Sequence, residues 1–161
     1  MNKKTVYLAN PLGFSEPGRY FLQEELIPEV EELGFDVINP FSNIPDDKVK
    51  KLGNISDIDE RRDKLAELDR EIGEMNRKSI QNCDLILAIL EGSDVDSGTA
   101  SEVGYAAGIG KKIIGYRSDF RLSSENLGTS VNLQVEYFVK ENGGKIVTSL
   151  SELKKVLNKL K

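Results

Sequence analysis

Residues 84–110, Asp84-Leu-Ile-Leu-Ala-Ile-Leu-Glu-Gly-Ser-Asp-Val-Asp-Ser-Gly-Thr-Ala-Ser-Glu-Val-Gly-Tyr-Ala-Ala-Gly-Ile-Gly110, decide the fold. Leu85 to Leu90 is a short unbroken apolar run, the pattern of a strand buried on both faces. A polar turn carrying Asp94, Asp96 and Gly98 follows. Glu102 then falls in the expected first turn of a helix, and Val103, Ala106 and Ala107 share one packed face. Strand, acidic-glycine turn and small-residue helix are the parts from which an open α/β sheet builds a ligand crevice at its strand ends.

Outward from this unit, strand and helix patterns alternate. Thr5 to Ala9 reads as a first strand, ending in the Asn10-Pro11-Leu12-Gly13-Phe14 loop. A helix over about 17–33 follows, with Pro17 suited to its start, Gly34 to its C-terminal cap and Pro28 expected to kink its middle. Phe35 to Ile38 is the second strand, and polar residues 41–58, with Pro45, Gly53 and three aspartates, read as a surface excursion. A charged helix over about 59–81 carries Leu65, Leu68, Ile72, Met75 and Ile80 as its apolar stripe. Beyond residue 110 come a strand (112–116), a polar loop (117–129), a helix (131–141), a short strand (145–147) and a helix from Ser149 onward. Ser149 with Glu152 reads as a capping box opening that last helix.

The alternation implies one domain over 1–161: a flavodoxin-like three-layer sandwich with a five-stranded parallel sheet of order 2-1-3-4-5. The switch point then lies between the first and third strands. That sets the Asn10–Phe14 loop and the Gly92–Gly98 turn on opposite sides of one crevice.

Charge and composition narrow the function. A net charge of −5 gives no electrostatic footprint for nucleic acid or an anionic membrane surface. No apolar run reaches the roughly 18 residues that a membrane helix needs, and the N-terminal apolar run is too short for a signal peptide. The single Cys83 excludes an internal disulfide framework and fits a cytoplasmic location. There is no histidine, so histidine-based nucleophile pairs and the common zinc sites are removed. With no histidine, one cysteine and neither a dinucleotide-binding nor a P-loop glycine motif, no metal or organic cofactor is expected, with a hard cation held by Asp94 and Asp96 as the alternative.

Each candidate residue also has a structural reading. Thr99-Ala-Ser-Glu102 is a capping box on its own terms. Asp94 and Asp96 can be solvated turn residues, Tyr7 core, Phe14 a loop anchor, and Asn132 a helix N-terminal residue.

Tyr7-Leu-Ala-Asn-Pro-Leu-Gly13-Phe14, the block Asp96-Ser-Gly98-Thr-x-x-Glu102-x-Gly104-Tyr105-Ala106 and the later Val131-Asn132-Leu133 together resemble the nucleoside 2-deoxyribosyltransferases. The similarity spans nearly the whole chain, and the Asp96–Ala106 block is its specific part. The resemblance implies exchange of the base on a 2′-deoxyribonucleoside through a covalent deoxyribosyl–enzyme intermediate. By matching position, Glu102 would be the nucleophile and Tyr7 would hydrogen-bond and orient it. Phe14 would sit against the base, and Asp96 would bind sugar or base. Gly13 and Gly98 would complete the substrate-binding loops, and Asn76 falls where members carry Asp or Asn near the base. Asn132 would reach across a subunit interface, making the active unit a homo-oligomer. The partners implied are 2′-deoxyribonucleosides and free nucleobases. Asn76 has no acidic proton to give a leaving base, and Gln134 stands where some members have an apolar residue.

The chemistry is partly independent of the resemblance. Retaining glycosyl transfer needs a carboxylate close enough to attack an oxocarbenium-like carbon. A Glu at a helix opening is expected to be kept ionised by nearby N–H groups. A nucleophile close beneath the sugar would also crowd a 2′-hydroxyl. Three other functions share parts of the pattern. One is a nucleoside 5′-monophosphate N-glycosidase, with Ser15 and Arg19 as its phosphate contacts. Another is a phosphoribohydrolase of the P-G-G-x-G-T-x-x-E kind, whose Pro-Gly-Gly start is missing here. The third is a non-catalytic nucleoside-binding domain.

Overall fold

The computed structural model describes residues 3–43 and 46–161. Met1, Asn2, Ile44 and Pro45 lie outside the described residues. Five parallel strands form one sheet: β1 (Thr5–Ala9), β2 (Asp36–Ile38), β3 (Leu85–Ile89), β4 (Lys112–Tyr116) and β5 (Lys145–Val147). Their order is β2-β1-β3-β4-β5, as the alternation predicts. Register pairs Tyr7 with Ile38 on one side and with Ile86 on the other, so β1 and β3 are flanked on both edges.

Strand parity divides the core into two. Val6 and Leu8 join Leu85, Leu87 and Ile89 on one face of the sheet. There they pack against Leu22, Leu26 and Val30, and against Leu153 and Leu157 of helix α7 (Leu150–Asn158). Tyr7 and Ala9 join Ile86, Ala88 and Leu90 on the opposite face. That face is covered by α4 (Ile58–Asn82), α5 (Ser97–Gly108) and α6 (Leu133–Glu141). The three layers follow from the two-residue side-chain period of the strands. Each fully buried Leu or Ile contributes about 1.5–3 kcal/mol by leaving water.

The helix expected over 17–33 is one continuous but uneven element. Ser15 caps it by accepting from the Gly18 N–H at 3.1 Å, and α1 (Glu16–Tyr20) runs into a π turn (Phe21–Leu26) and then α2 (Ile27–Glu32). The Ile27 N–H bonds back five residues to Leu22 O, immediately before Pro28. Pro28 has no N–H to continue the ladder, and the widened turn takes up the discontinuity expected as a kink. Gly34 closes the helix with φ +92°, its N–H on Glu31 O.

The 41–58 excursion is not an irregular loop where it is described. A 3₁₀ turn (Pro40–Asn43) and helix α3 (Asp46–Gly53) occupy it. Lys48 of α3 pairs with Glu71 of α4, and Arg61 of α4 donates to Gly53 O at 3.4 Å. α4 itself is largely solvated, with only Leu68 and Ile80 of its expected stripe buried. Its C-terminal end is tied to the sheet: Lys111 Nζ donates to the carbonyls of Gln81 (2.7 Å) and Cys83 (2.6 Å). Among the described residues, no helix is long and apolar enough to cross a membrane.

Candidate functional site

The C-terminal ends of β1 and β3 open beneath a cleft of about 350 Å³. Asn10, Phe14, Phe41, Asp69, Ile72, Asn76, Asp96 and Glu102 carry most of its lining. The topology puts it at the switch point, where β1 and β3 send their connections to opposite faces.

Glu102 sits on the inner side of α5, half-buried. Its Oε1 accepts a 2.6 Å hydrogen bond from the Tyr7 hydroxyl and a 3.4 Å one from Asn76 Nδ2. Strand parity aims Tyr7 at α5, and its ring is fully buried in the face that carries Val103 and Ala106. The capping-box reading of Glu102 is therefore overturned. Asp96 is the N-cap of α5, accepting from the Thr99 N–H at 2.9 Å and the Thr99 hydroxyl at 3.2 Å. The helix begins at Ser97, so Glu102 lies in its second turn. There it is not held ionised by N-terminal N–H groups, as expected from sequence. Burial pushes its pKa up to about 7, the Tyr7 hydrogen bond opposes that rise, and the Asp96 charge adds to it. Burial, followed by the hydrogen bond and charge of Glu102, also pushes the Tyr7 phenol far above its usual range. Tyr7 thus stays protonated and donates.

The other expected residues divide into three groups. Asn76, Asp96, Gly98 and Phe14 line the cleft with Glu102. Phe14 stands on the rim, 76% exposed, with its ring edge-on to Phe41 at 5.0 Å between centroids. Gly13 does not line the cleft. It supports the rim from behind, because a Cβ there would fall 2.4 Å from the Phe41 ring. Asn132 lies outside the cleft. Its Oδ1 caps α6 by accepting from the N–H groups of Gln134 (3.0 Å) and Val135 (3.3 Å), and its Nδ2 donates to Glu125 at 2.7 Å.

Six lining residues were not assigned a site role from sequence: Asn10, Pro40, Phe41, Asp69, Ile72 and Thr99. Asp69 and Ile72 precede Asn76 by seven and four positions, so all three share one face of α4. Helix phase counted back from Asn76 would have found them. No sequence signal marks Phe41, which reaches the cleft through the packing of the 3₁₀ turn. Asn10 holds the first loop's shape, its Nδ2 on Leu8 O (3.0 Å) and its Oδ1 accepting from the Leu12 N–H (3.1 Å).

A second opening of about 400 Å³ lies on the far side of Glu102, between α4 and α5, with Arg77, Ser101 and Tyr105 in its wall. Asn76, Gly98 and Glu102 are common to both openings, so the carboxylate stands on the ridge between them.

This arrangement can present one half-buried, oriented carboxylate to a molecule lying between Phe14, Phe41 and Ile72. Comparison with known proteins bears on the chain and its fold. The chain is 30% identical to an uncharacterized protein of Schizosaccharomyces pombe over 126 residues, 76% of this chain and 54% of the yeast protein. It thus spans about half the length of that relative. The fold is similar to that of a conserved protein from Enterococcus faecalis V583, with TM-score 0.73, 22% identity and 99% of each chain covered. It is also similar to the 2-desoxiribosyltransferase from Leishmania mexicana, with TM-score 0.67, 20% identity and 97% of each chain covered. A CMP N-glycosidase from Clostridium botulinum shares it at TM-score 0.57 and 22% identity, over 96% of this chain and 99% of the other. The family model for nucleoside 2-deoxyribosyltransferase matches residues 6–134, a span that holds Tyr7, Asn76, Asp96, Glu102 and Asn132, and the chain belongs to that family.

Proposed function

We propose that the protein transfers 2-deoxyribose between nucleobases through a covalent deoxyribosyl intermediate on Glu102. The observation that carries this reading is the 2.6 Å hydrogen bond that fixes the Glu102 carboxylate from the buried Tyr7 hydroxyl at the cleft floor. Ionised Glu102 attacks the anomeric carbon as the carbon–nitrogen bond breaks, and that bond pair leaves with the base. The departing base takes its proton from solvent, because neither the Asn76 amide nor the Tyr7 phenol is an acidic donor. A second base then attacks the same carbon from the side the first one left. The Glu102–sugar bond breaks, and the incoming base's proton goes to solvent.

The apolar wall of Phe14, Pro40, Phe41 and Ile72 suits a flat heterocycle. The charged residues of the lining, Asp69, Asp96 and Glu102, are all acidic. That favours a neutral nucleoside over a 5′-monophosphate. Ser15 and Arg19, the alternative phosphate contacts, are engaged in capping α1 and in a 3.2 Å bond to Gly13 O. A nucleophile beneath the sugar leaves little room for a 2′-hydroxyl, hence the deoxy preference. The same reading makes the active unit a homo-oligomer in which the partner subunit's Asn132 reaches the sugar. Full activity in a protein that light scattering finds monomeric would overturn that part.

Hydrolysis is the second reading, favoured by one observation. The rim is open at Phe14, 76% exposed, so water has access to the intermediate. One assay separates the two: deoxyinosine with free adenine, followed by chromatography. Deoxyadenosine is the expected product. Free deoxyribose alone would make the protein an N-glycosidase, and no change would remove both. With deoxyinosine alone, a deoxyribose adduct is expected by mass spectrometry on the peptide containing Glu102.

A further inference from the structure

Asp69 is unused by the chemistry above, yet it lines the cleft. It lies on α4 seven residues before Asn76, which bonds Glu102, so the two stand about 10 Å apart along the helix axis at 1.5 Å per residue. Ile72 fills the face between them. Glu102 and Asn76 thus mark the sugar end of the cleft, and Asp69 marks the far end, a span filled by a nucleoside from its anomeric carbon to the outer edge of its base together with one hydrogen bond to Asp69. The walls along that span are Phe14, Pro40, Phe41 and Ile72, none of which has a side-chain hydrogen-bonding group. Among the described residues, Asp69 makes no hydrogen bond or ion pair, whereas Lys48 on the neighbouring helix pairs with Glu71 and leaves it aside.

We propose that Asp69 is the base-selecting residue of this site, favouring bases that carry an exocyclic amino group at the edge remote from the sugar. The inference rests on the nucleoside reading of the cleft. An ionised carboxylate is an acceptor only, so it takes a hydrogen bond from an amino group there and is set against the lone pairs of a carbonyl. Adenine and cytosine present the amino group; hypoxanthine and thymine present the carbonyl. Because the side chain stands at the exposed end of the cleft, solvent moderates the discrimination. About tenfold is expected, rather than the far larger factors of fully buried recognition.

The test is a competition between equimolar deoxyadenosine and deoxyinosine, with excess 2,6-diaminopurine as acceptor, for the native protein and for Asp69→Asn. The native protein should consume deoxyadenosine about tenfold faster. An asparagine amide offers either a donor or an acceptor, so Asp69→Asn should bring the ratio close to one without lowering the melting temperature. An unchanged ratio in Asp69→Asn overturns the inference while leaving the transferase reading standing. If neither nucleoside is consumed, the transferase reading fails on its own, and equilibrium dialysis with free adenine and free hypoxanthine decides. Preferential retention of adenine by the native protein but not by Asp69→Asn supports the assignment, and equal retention by both sinks it.

Discussion

Thr99-Ala-Ser-Glu102 and Ser149-Leu-Ser-Glu152 have the same local pattern and opposite fates. In the second, Ser149 caps α7 by accepting from the Glu152 N–H at 3.2 Å. Glu152 turns back to accept from the Thr148 N–H (2.9 Å) and its hydroxyl, which hold its carboxyl below the usual carboxylate range. In the first, Asp96 captures the cap three residues early. The extra turn rotates Glu102 away from the helix end and under the cleft, where burial raises its pKa to about 7. One glutamate stabilises a helix terminus. The other is kept at a cost to stability, in a place where ionisation, orientation and access meet. Helix phase, not the motif, makes the difference.

The largest effect that would break this comparison is expected from Glu102→Ala. If the carboxylate is the nucleophile, base exchange should fall by at least about a thousandfold, with a melting temperature equal to or above that of the native protein. Activity within tenfold of native, with a clear loss of stability, would return Glu102 to a structural role. Tyr7→Phe sharpens the point. The carboxylate remains but loses its orienting donor, so kcat/KM should drop by about ten- to a hundredfold. The Tyr7 bond also lowers the Glu102 pKa, so the acid limb of the rate profile, centred near pH 7 in the native protein, should move to higher pH in the variant. A limb that stays in place would show that the hydroxyl does not act through Glu102.

The third expectation concerns stability alone. Glu102 has a folded pKa of about 7 against an ordinary value of 4.5, so the fold favours its protonated form. That contribution is fully present below pH 4.5 and is lost as pH rises through 7. Glu102→Gln should remove the loss and stabilise the protein above pH 8 by up to about 3 kcal/mol, with little effect near pH 4. Denaturant melts at the two pH values check this, and an equal effect at both would contradict it. The smallest change belongs to Glu152→Ala. A slight fall in melting temperature is expected with kcat/KM unchanged, and a loss of activity there would erase the contrast between the two glutamates.

The architecture was legible because its signals are local and repeated. Leu85–Leu90 has the length and composition of a two-sided strand, and parity along Thr5–Ala9 separates Tyr7 from Val6 and Leu8. The pairing of Tyr7 with Glu102 was implied by the family pattern, and the order of strands is compatible with it. Helix α3 was not legible. It is short and charged, and its hold on α4 through Lys48 and Glu71 is a tertiary contact. The phase of α5 was misread because Asp96 and Thr99 are both good caps three residues apart, and only the bonds from Thr99 to Asp96 choose between them. Phe41 comes to the cleft from a segment that no motif connects to it, whereas Asp69 was reachable only by counting helix phase back from Asn76. Asn132 fits two readings in sequence, and within one chain it acts as a helix cap.

The attachment of α4 bears on how the cleft admits its guest. Lys111 clamps the carbonyls of Gln81 and Cys83 at one end of a rod about 37 Å long, while most of the opposite half touches water. A rod pinned at one end swings least near the pin. Asn76, five residues before the clamped Gln81, is therefore held beside Glu102, whereas Asp69, seven residues farther out, is held through buried Leu68 and through the Lys48–Glu71 pair to α3. The Glu102 end of the cleft is thus set by the sheet, and the Asp69 end by the packing of α3.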